Sequence, residues 1–241
     1  MITNVTIKRA VVCLLCIGIL SLSVCLLVRP KKEFSENENR YLTKFPSFTA
    51  KALLDGVYTE ALGDWLADHF PQRDFFVGFK SGAEITCGRK EINHIYVAED
   101  DYLIESYAKP QNTERITDTL VSFYDKVDTS KVDVNLMLVP TAVTVYSDKL
   151  PAHAPLSDQT GTAAAIYEAS GIPAIDCTDR LLDGASQGQL YYRTDHHWTT
   201  LGAYFGYLAY CDAKNMTPVS LDTLTAQTVT DAFAGTLYSK V

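Results

Sequence analysis

The chain has 241 residues, 47% of them hydrophobic, and a formal net charge of -8. That length and apolar content allow one sizeable core in one or two domains. The acidic balance, with no basic stripe and no RNA-binding motif, argues against a nucleic-acid partner.

Cys13, Cys16 and Cys25 fall inside the first apolar run, while Cys87, Cys177 and Cys211 are widely spaced. No C-x-x-C pair exists outside that run, so a zinc ribbon is not supported. At most one disulfide can form among the last three cysteines; free, buried thiols are expected.

Ala10 to Val28 is an unbroken run of apolar and small residues without charge. As a helix it spans roughly 28 Å, close to the hydrocarbon thickness of a bilayer. The run exceeds a usual signal-peptide core and lacks an A-x-A exit, so it reads as an uncleaved anchor. Lys8 and Arg9 precede it; Arg29, Lys31 and Lys32 follow it. The short amino tail favours a cytoplasmic N-terminus and places everything after Lys32 outside the cytoplasm. The expected division is a cytoplasmic tail over 1–9, a transmembrane anchor over 10–28, a juxtamembrane connector over 29–48 and an α/β domain over 49–241.

The connector, with Ser35-Glu36-Asn37-Glu38-Asn39-Arg40, docks through Tyr41, Phe45 and Phe48. Leu54, Tyr58, Ala61, Leu62, Trp65 and Leu66 recur at helical spacing, with Thr49 as N-cap and Pro71 as stop. A second helix is predicted from Asp74 to about Thr86, with Phe75, Phe76, Phe79 and Ile85 inward and Gly88 ending it. His69 and His94 are lone histidines with packing or surface roles.

Ile95 to Ala98 and Tyr102 to Ile104 flank an acidic turn and read as a hairpin. Asn112 to Val127 is helical in pattern, with Ile116, Leu120, Phe123, Tyr124 and Val127 on one face. Val132 to Val139 alternates and then becomes wholly apolar, as a strand entering a parallel sheet does. Pro140-Thr141-Ala142 breaks it at its carboxyl end, where open α/β sheets place their ligand crevice, so Thr141 and Thr144 are weak site candidates. A helix around Ala163, Ile166 and Tyr167 ends at Gly171, and Ile172 to Asp176 is a second, short strand weakened by Pro173. Leu201, Tyr204, Phe205, Leu208 and Cys211 mark a last helix. Residues from Asn215 onward are Thr-rich and weakly patterned, an excursion rather than core.

Chemistry concentrates in Tyr191-Tyr192-Arg193-Thr194-Asp195-His196-His197-Trp198-Thr199-Thr200-Leu201-Gly202. An Asp two residues before a His can accept the Nδ1 proton and leave Nε2 free to take a proton from a nucleophile. The plainer reading makes Asp195 a helix cap and the histidines buried spacers.

This stretch resembles the signature of the DHHW proteins of Firmicutes, which are similar in turn to the SGNH-hydrolase-like domains of the alginate O-acetyltransferases. The Asn-Glu-Asn-Arg connector, the hairpin with its acidic turn, and Phe233-Ala234-Gly235-Thr236-Leu237-Tyr238 extend the likeness from about Phe34 to Leu237. The β–α–β–α order fits a three-layer flavodoxin-like sandwich of SGNH type, apparently incomplete, behind an N-terminal transmembrane helix. The resemblance implies an extracytoplasmic, membrane-anchored O-acetyltransferase or esterase acting on a cell-surface polysaccharide, with a membrane-bound partner delivering acetyl groups. Asp195 would be the orienting acid and His197 the general base; His196, Trp198, Tyr192 and Thr141 would shape the pocket or bind substrate. No cofactor or metal is implied.

Acyl transfer needs a serine within reach of His197 Nε2 and backbone donors for the oxyanion. In the acetyltransferases that serine follows the Asp-x-His, in a strand-to-helix turn; here it is expected beyond Val241, with Ser186 and Ser239 the nearest alternatives. Such a chain alone is expected to be inactive. Three other roles stay open. A non-catalytic glycan-binding module would stack sugars on Tyr191, Tyr192 and Trp198. A structural subunit of a surface-polysaccharide modification complex needs no site at all. A metallophosphoesterase of the DHH type would need further Asp clusters that the upstream chain lacks.

Overall fold

The computed structural model describes residues 4–35, 40–230 and 232–241. Residues 36–39, which carry most of the connector's Asn-Glu-Asn resemblance, and residues 1–3 of the expected tail lie outside that description. The chain divides into two compact units, Met1–Cys87 and Gly88–Val241.

The first unit begins with helix α1 (Asn4–Val28), whose apolar stretch Val5–Val28 is long enough to cross a membrane and is nowhere buried inside the protein. Strands β1 (Phe34–Ser35) and β2 (Arg40–Tyr41) pair antiparallel, with the Phe34 and Tyr41 rings edge-on at 5.3 Å. The single helix expected after Thr49 is two. Thr49 caps α2 (Ala50–Leu54) by accepting from the Ala52 N–H at 3.1 Å, and Gly56, at φ +79°, breaks it from α3 (Val57–His69). A left-handed residue ends the first helix cheaply because glycine has no Cβ to clash. Asp68 on α3 ties down the connector. It accepts from the Arg40 guanidinium at 2.6 Å and from the Thr43 backbone at 2.8 Å, and these bonds hold its carboxyl well below the usual range despite partial desolvation.

Helix α4 (Arg73–Thr86) follows, but its phenylalanines do not point inward as the pattern predicts. Phe75, Phe76 and Phe79 are exposed, and only Ile85 is half-buried. Helical spacing reports which residues share a face and cannot report what covers it.

The second unit opens with a three-stranded antiparallel sheet of β3 (Glu91–Ile92), β4 (Ile95–Val97) and β5 (Leu103–Glu105). Its β4–β5 hairpin is the predicted one, turned by Asp100 and Asp101 in left-handed conformation. Ile95 and Ile104 are wholly buried. Helix α5 (Thr113–Tyr124), capped by Asn112, packs against α7 (Gln159–Ser170) after the short α6 (Ala142–Val145). Helices α8 (Thr178–Gly184) and α9 (Thr200–Ala213) pack together, with Gly184 under the Phe205 ring.

The parallel pairing predicted for 132–139 and 172–176 is reduced, among the described residues, to one bridge between Leu136 and Ala174. Leu136 donates to the Pro173 carbonyl and accepts from Ile175, both at 2.9 Å. Beyond it the Tyr167 hydroxyl takes over the backbone polar groups, accepting from Leu138 N at 2.7 Å and reaching the Leu138 and Ile175 carbonyls. A side-chain hydroxyl there stands in for ladder bonds, which satisfies the backbone without extending the strand. Above this edge lies the main core, where Tyr146, Cys177, Leu181, Leu190, Tyr191 and Phe205 meet. All six cysteines are free thiols; Cys177 and Cys211 are buried as expected, while Cys87 is exposed.

Candidate active site around Asp195 and His197

The Asp-x-His segment sits on a loop pinned at both ends. Tyr191 bridges antiparallel to Trp198, Tyr192 N donates to the His197 carbonyl at 3.2 Å, and Thr199 N donates to Leu190 at 2.7 Å. Thr199 also caps α9, its hydroxyl accepting from Gly202 N at 3.2 Å. The loop therefore runs directly into a rigid helix. Close approach here requires glycine: a Cβ at Gly202 would lie 2.3 Å from the Leu190 carbonyl oxygen, and one at Gly206 would lie 2.9 Å from the Trp198 indole.

Three further ties hold the tip. Leu103 N on β5 donates to the Arg193 carbonyl at 2.7 Å. Leu237 N donates to the Thr194 carbonyl at 3.0 Å, and Gly235 N to the Thr194 hydroxyl at the same distance. The buried Tyr191 hydroxyl donates to the Pro140 carbonyl, joining the loop to the carboxyl end of the 132–139 segment.

Asp195 is 5% exposed and its four acceptor contacts are specific. Oδ1 takes the His197 backbone N–H at 2.9 Å and its ring Nδ1 at 2.6 Å; Oδ2 takes the Thr236 backbone N–H at 2.8 Å and hydroxyl at 3.1 Å. Burial alone would raise this carboxyl's pKa, but the hydrogen bonds from Thr236 and His197 outweigh it and hold the value at about 2. An ionised carboxylate can only accept, so the proton on the His197 ring sits on Nδ1. Nε2 then carries the free lone pair, on a ring whose side chain is 67% exposed. Chemically, this is a fixed carboxylate orienting a solvent-facing base.

His196, a pocket-shaping candidate, does not point away from the pair. It turns to the same cluster instead, its Nδ1 lying 3.0 Å from the Thr236 hydroxyl and 3.8 Å from Asp195 Oδ1, with its ring 4.0 Å from that of His197. Asp195, His196 and His197 thus present three potential metal-ligand atoms within 4.8 Å of one another. The shortest contact among them is the Asp195–His197 hydrogen bond, which a metal ion using the same two atoms would have to break.

The remaining candidates divide. Tyr191 is buried and offers no face on which a sugar can stack, whereas Trp198 is half-buried, with one edge of its indole against Gly206 of α9. Tyr192 is half-buried with its ring 4.8 Å from that of Phe233. Thr141 is committed elsewhere: its backbone N and hydroxyl both donate to Gln159 Oε1, at 2.9 and 3.2 Å, as does Thr144 at 2.6 Å. Ser186 donates to the Asp183 carbonyl and Ser239 to the Thr236 carbonyl. Among the described residues, no serine hydroxyl bonds to the His197 ring.

Sequence reasoning missed Gly235 and Thr236, treating the region after Asn215 as an excursion. Leu237 is in fact 1% exposed, and a Cβ at Gly235 would lie 2.4 Å from Asp195 Cβ. The usable signal was the Phe233–Tyr238 resemblance, which marked that stretch as belonging to the fold.

The family described as ALGX, SGNH hydrolase-like domain, acetyltransferase AlgX, matches residues 95–239. A DHHW family protein from Eubacterium siraeum is 28% identical, with TM-score 0.50, over 58% of this chain and 46% of that one. The O-acetyltransferase domain of Pseudomonas putida AlgJ is 24% identical, with TM-score 0.43, over 50% of this chain and 47% of that one. The chain thus spans just under half the length of both solved structures. No curated protein matches it.

Proposed function

Since the chain belongs to the family of SGNH hydrolase-like acetyltransferase domains that includes AlgX, we propose that it is the acid–base part of a surface-polysaccharide O-acetylation site. The observation that carries this reading is the buried Asp195 carboxylate holding His197 Nδ1 at 2.6 Å, with Nε2 open to solvent. In the reaction, Nε2 accepts the proton of a serine hydroxyl as its oxygen bonds to the acetyl carbonyl carbon. The imidazolium then protonates the departing donor oxygen, leaving an acetyl-serine. A sugar hydroxyl next attacks that ester, giving its proton to Nε2, and the serine oxygen recovers the proton as it leaves. Asp195 keeps the ring in one tautomer and stabilises the imidazolium in both steps.

His196 and Tyr192 border the site. No serine hydroxyl among the described residues bonds to His197, so the nucleophile remains to be supplied, and the 241-residue polypeptide is proposed to be inactive alone. Helix α1 is proposed as a single-pass anchor, with residues 1–9 cytoplasmic, the 29–48 connector and the domain over 49–241 outside, and an acetyl-carrying membrane protein as donor.

The test is the O-acetyl content of surface polysaccharide in cells carrying His197→Ala. A fall to the level of a null strain, with normal protein abundance, is expected. Unchanged O-acetylation in that strain overturns the proposal.

A further inference from the structure

Helix α4 carries an exposed aromatic face that the acetylation site does not use. Phe75, Phe76 and Phe79 are 62%, 46% and 68% exposed, and Phe70, just before the helix, is 40% exposed. Their rings form one chain of contacts: Phe70 to Phe76 at 5.7 Å, Phe76 to Phe75 at 5.5 Å, and Phe75 to Phe79 at 6.3 Å. Contiguous exposed rings, unlike apolar residues scattered singly, call for an account of what covers them.

The position of the patch within the first unit says what covers it. Helix α1 ends at Val28, and the chain four residues later is tied to the α3–α4 corner. His69 Nε2 lies 3.3 Å from the Lys32 carbonyl and its Nδ1 3.0 Å from the Trp65 carbonyl, while Lys31 Nζ sits 5.4 Å from the Trp65 ring centroid. Four residues reach at most about 14 Å. If α1 crosses the bilayer, as proposed above, the corner cannot leave the headgroup layer.

The charge around the corner matches that layer. Arg29, Lys31, Lys32 and Arg73 line a cavity of about 580 Å³ between the end of α1 and the start of α4. Two acids line it as well. Asp68 is already engaged by Arg40 and Thr43, and Asp74 lies 3.7 Å from Arg73. Basic residues beside exposed phenylalanines are the composition of a helix lying in the membrane interface, where rings enter the acyl boundary and cations meet lipid phosphates.

We propose that the α3–α4 corner is a membrane-interface foot: Phe70, Phe75, Phe76 and Phe79 insert into the outer leaflet, and Arg29 and Lys32 receive the phosphates of anionic lipid headgroups. The foot rests on the reading of α1 as a membrane span.

The test uses the full chain with Phe79→Trp, reconstituted in vesicles of phosphatidylcholine alone or with phosphatidylglycerol. The signal is the emission gained over wild type, whose own tryptophans are Trp65 and Trp198. Lipids brominated on their acyl chains should quench the added emission, and aqueous iodide should not. Phosphatidylglycerol should deepen the lipid quenching, and Arg29→Gln with Lys32→Gln should cancel that increment. Inorganic phosphate at millimolar concentration should leave the signal unchanged, which separates a headgroup site from a free-anion site. Retention of the chain in vesicles after alkaline carbonate reports on α1 independently. A chain that is retained, yet whose added tryptophan is quenched by iodide and not by brominated lipid, overturns the foot and leaves the span standing. Loss of the chain to carbonate overturns both.

Discussion

Thr236 donates twice to Asp195 Oδ2, from its backbone at 2.8 Å and its hydroxyl at 3.1 Å, and so closes the cradle that His197 begins on Oδ1. A carboxyl held below its unfolded value stabilises the fold at every pH above that value. The stabilisation fades as pH falls from 3.8 towards about 2. For Asp195 it amounts to ~2 kcal/mol at neutral pH. Thr236→Val removes one donor and should cost ~1 kcal/mol at pH 7. Its deficit against wild type should shrink below pH 3 in urea titrations at stepped pH. A deficit independent of pH would mean that the hydroxyl does not act through the Asp195 charge.

Gly235→Ala is expected to damage the site more than a surface glycine change does. The new Cβ would meet Asp195 Cβ at 2.4 Å and the Thr194 carbonyl oxygen at 2.5 Å, and neither is a flexible side-chain end. Overpacking of this kind costs roughly 1–3 kcal/mol. The downfield proton signal of His197 Nδ1–H should also be lost. A variant with wild-type stability and an unmoved signal would show that the segment can retreat without cost.

Asp195→Asn should change the chemistry while keeping the shape. An amide that presents its NH2 to Nδ1 favours the tautomer with the proton on Nε2, and comparable changes in serine hydrolases lower kcat by about 10⁴. Nitrogen NMR of the His197 ring should record the tautomer switch. O-acetylation in cells should fall almost as far as with His197→Ala, and His196→Ala should be milder. The 241-residue chain itself should turn over a small acetyl ester only at trace level, unaffected by His197→Ala or EDTA. Turnover by this chain that depends on His197 would place a working serine within it, and loss of turnover on EDTA treatment would favour a metal at Asp195, His196 and His197.

Tyr191→Phe tests the link between the loop and the end of the 132–139 segment. The buried Pro140 carbonyl would lose the hydroxyl donor, at a cost of about 1–3 kcal/mol. Hydrogen exchange of the amides of Leu190 and Thr199 should accelerate with it. Unchanged exchange would show that α9 alone holds the loop.

Much of the local structure and the Asp195–His197 hydrogen bond were legible in the chain, because each depends on neighbours in sequence. Asp195 meets the backbone N–H two residues on, which is a turn any Asp in that setting can make. Thr49, Asn112 and Gly171 mark helix ends through their own side chains or backbone freedom, and the apolar run over 10–28 forms one helix by composition alone. What tertiary structure decided depends on closing long loops, and periodicity carries no record of that closure. Thr236 and Gly235 reach Asp195 across about forty residues. The Tyr167 hydroxyl replaces ladder bonds that an apolar run promised, and Tyr191 spends its ring on packing. The phenylalanines of α4 follow helical spacing faithfully yet stay uncovered, because spacing groups residues on a face and only the surrounding chain determines whether anything lies against it.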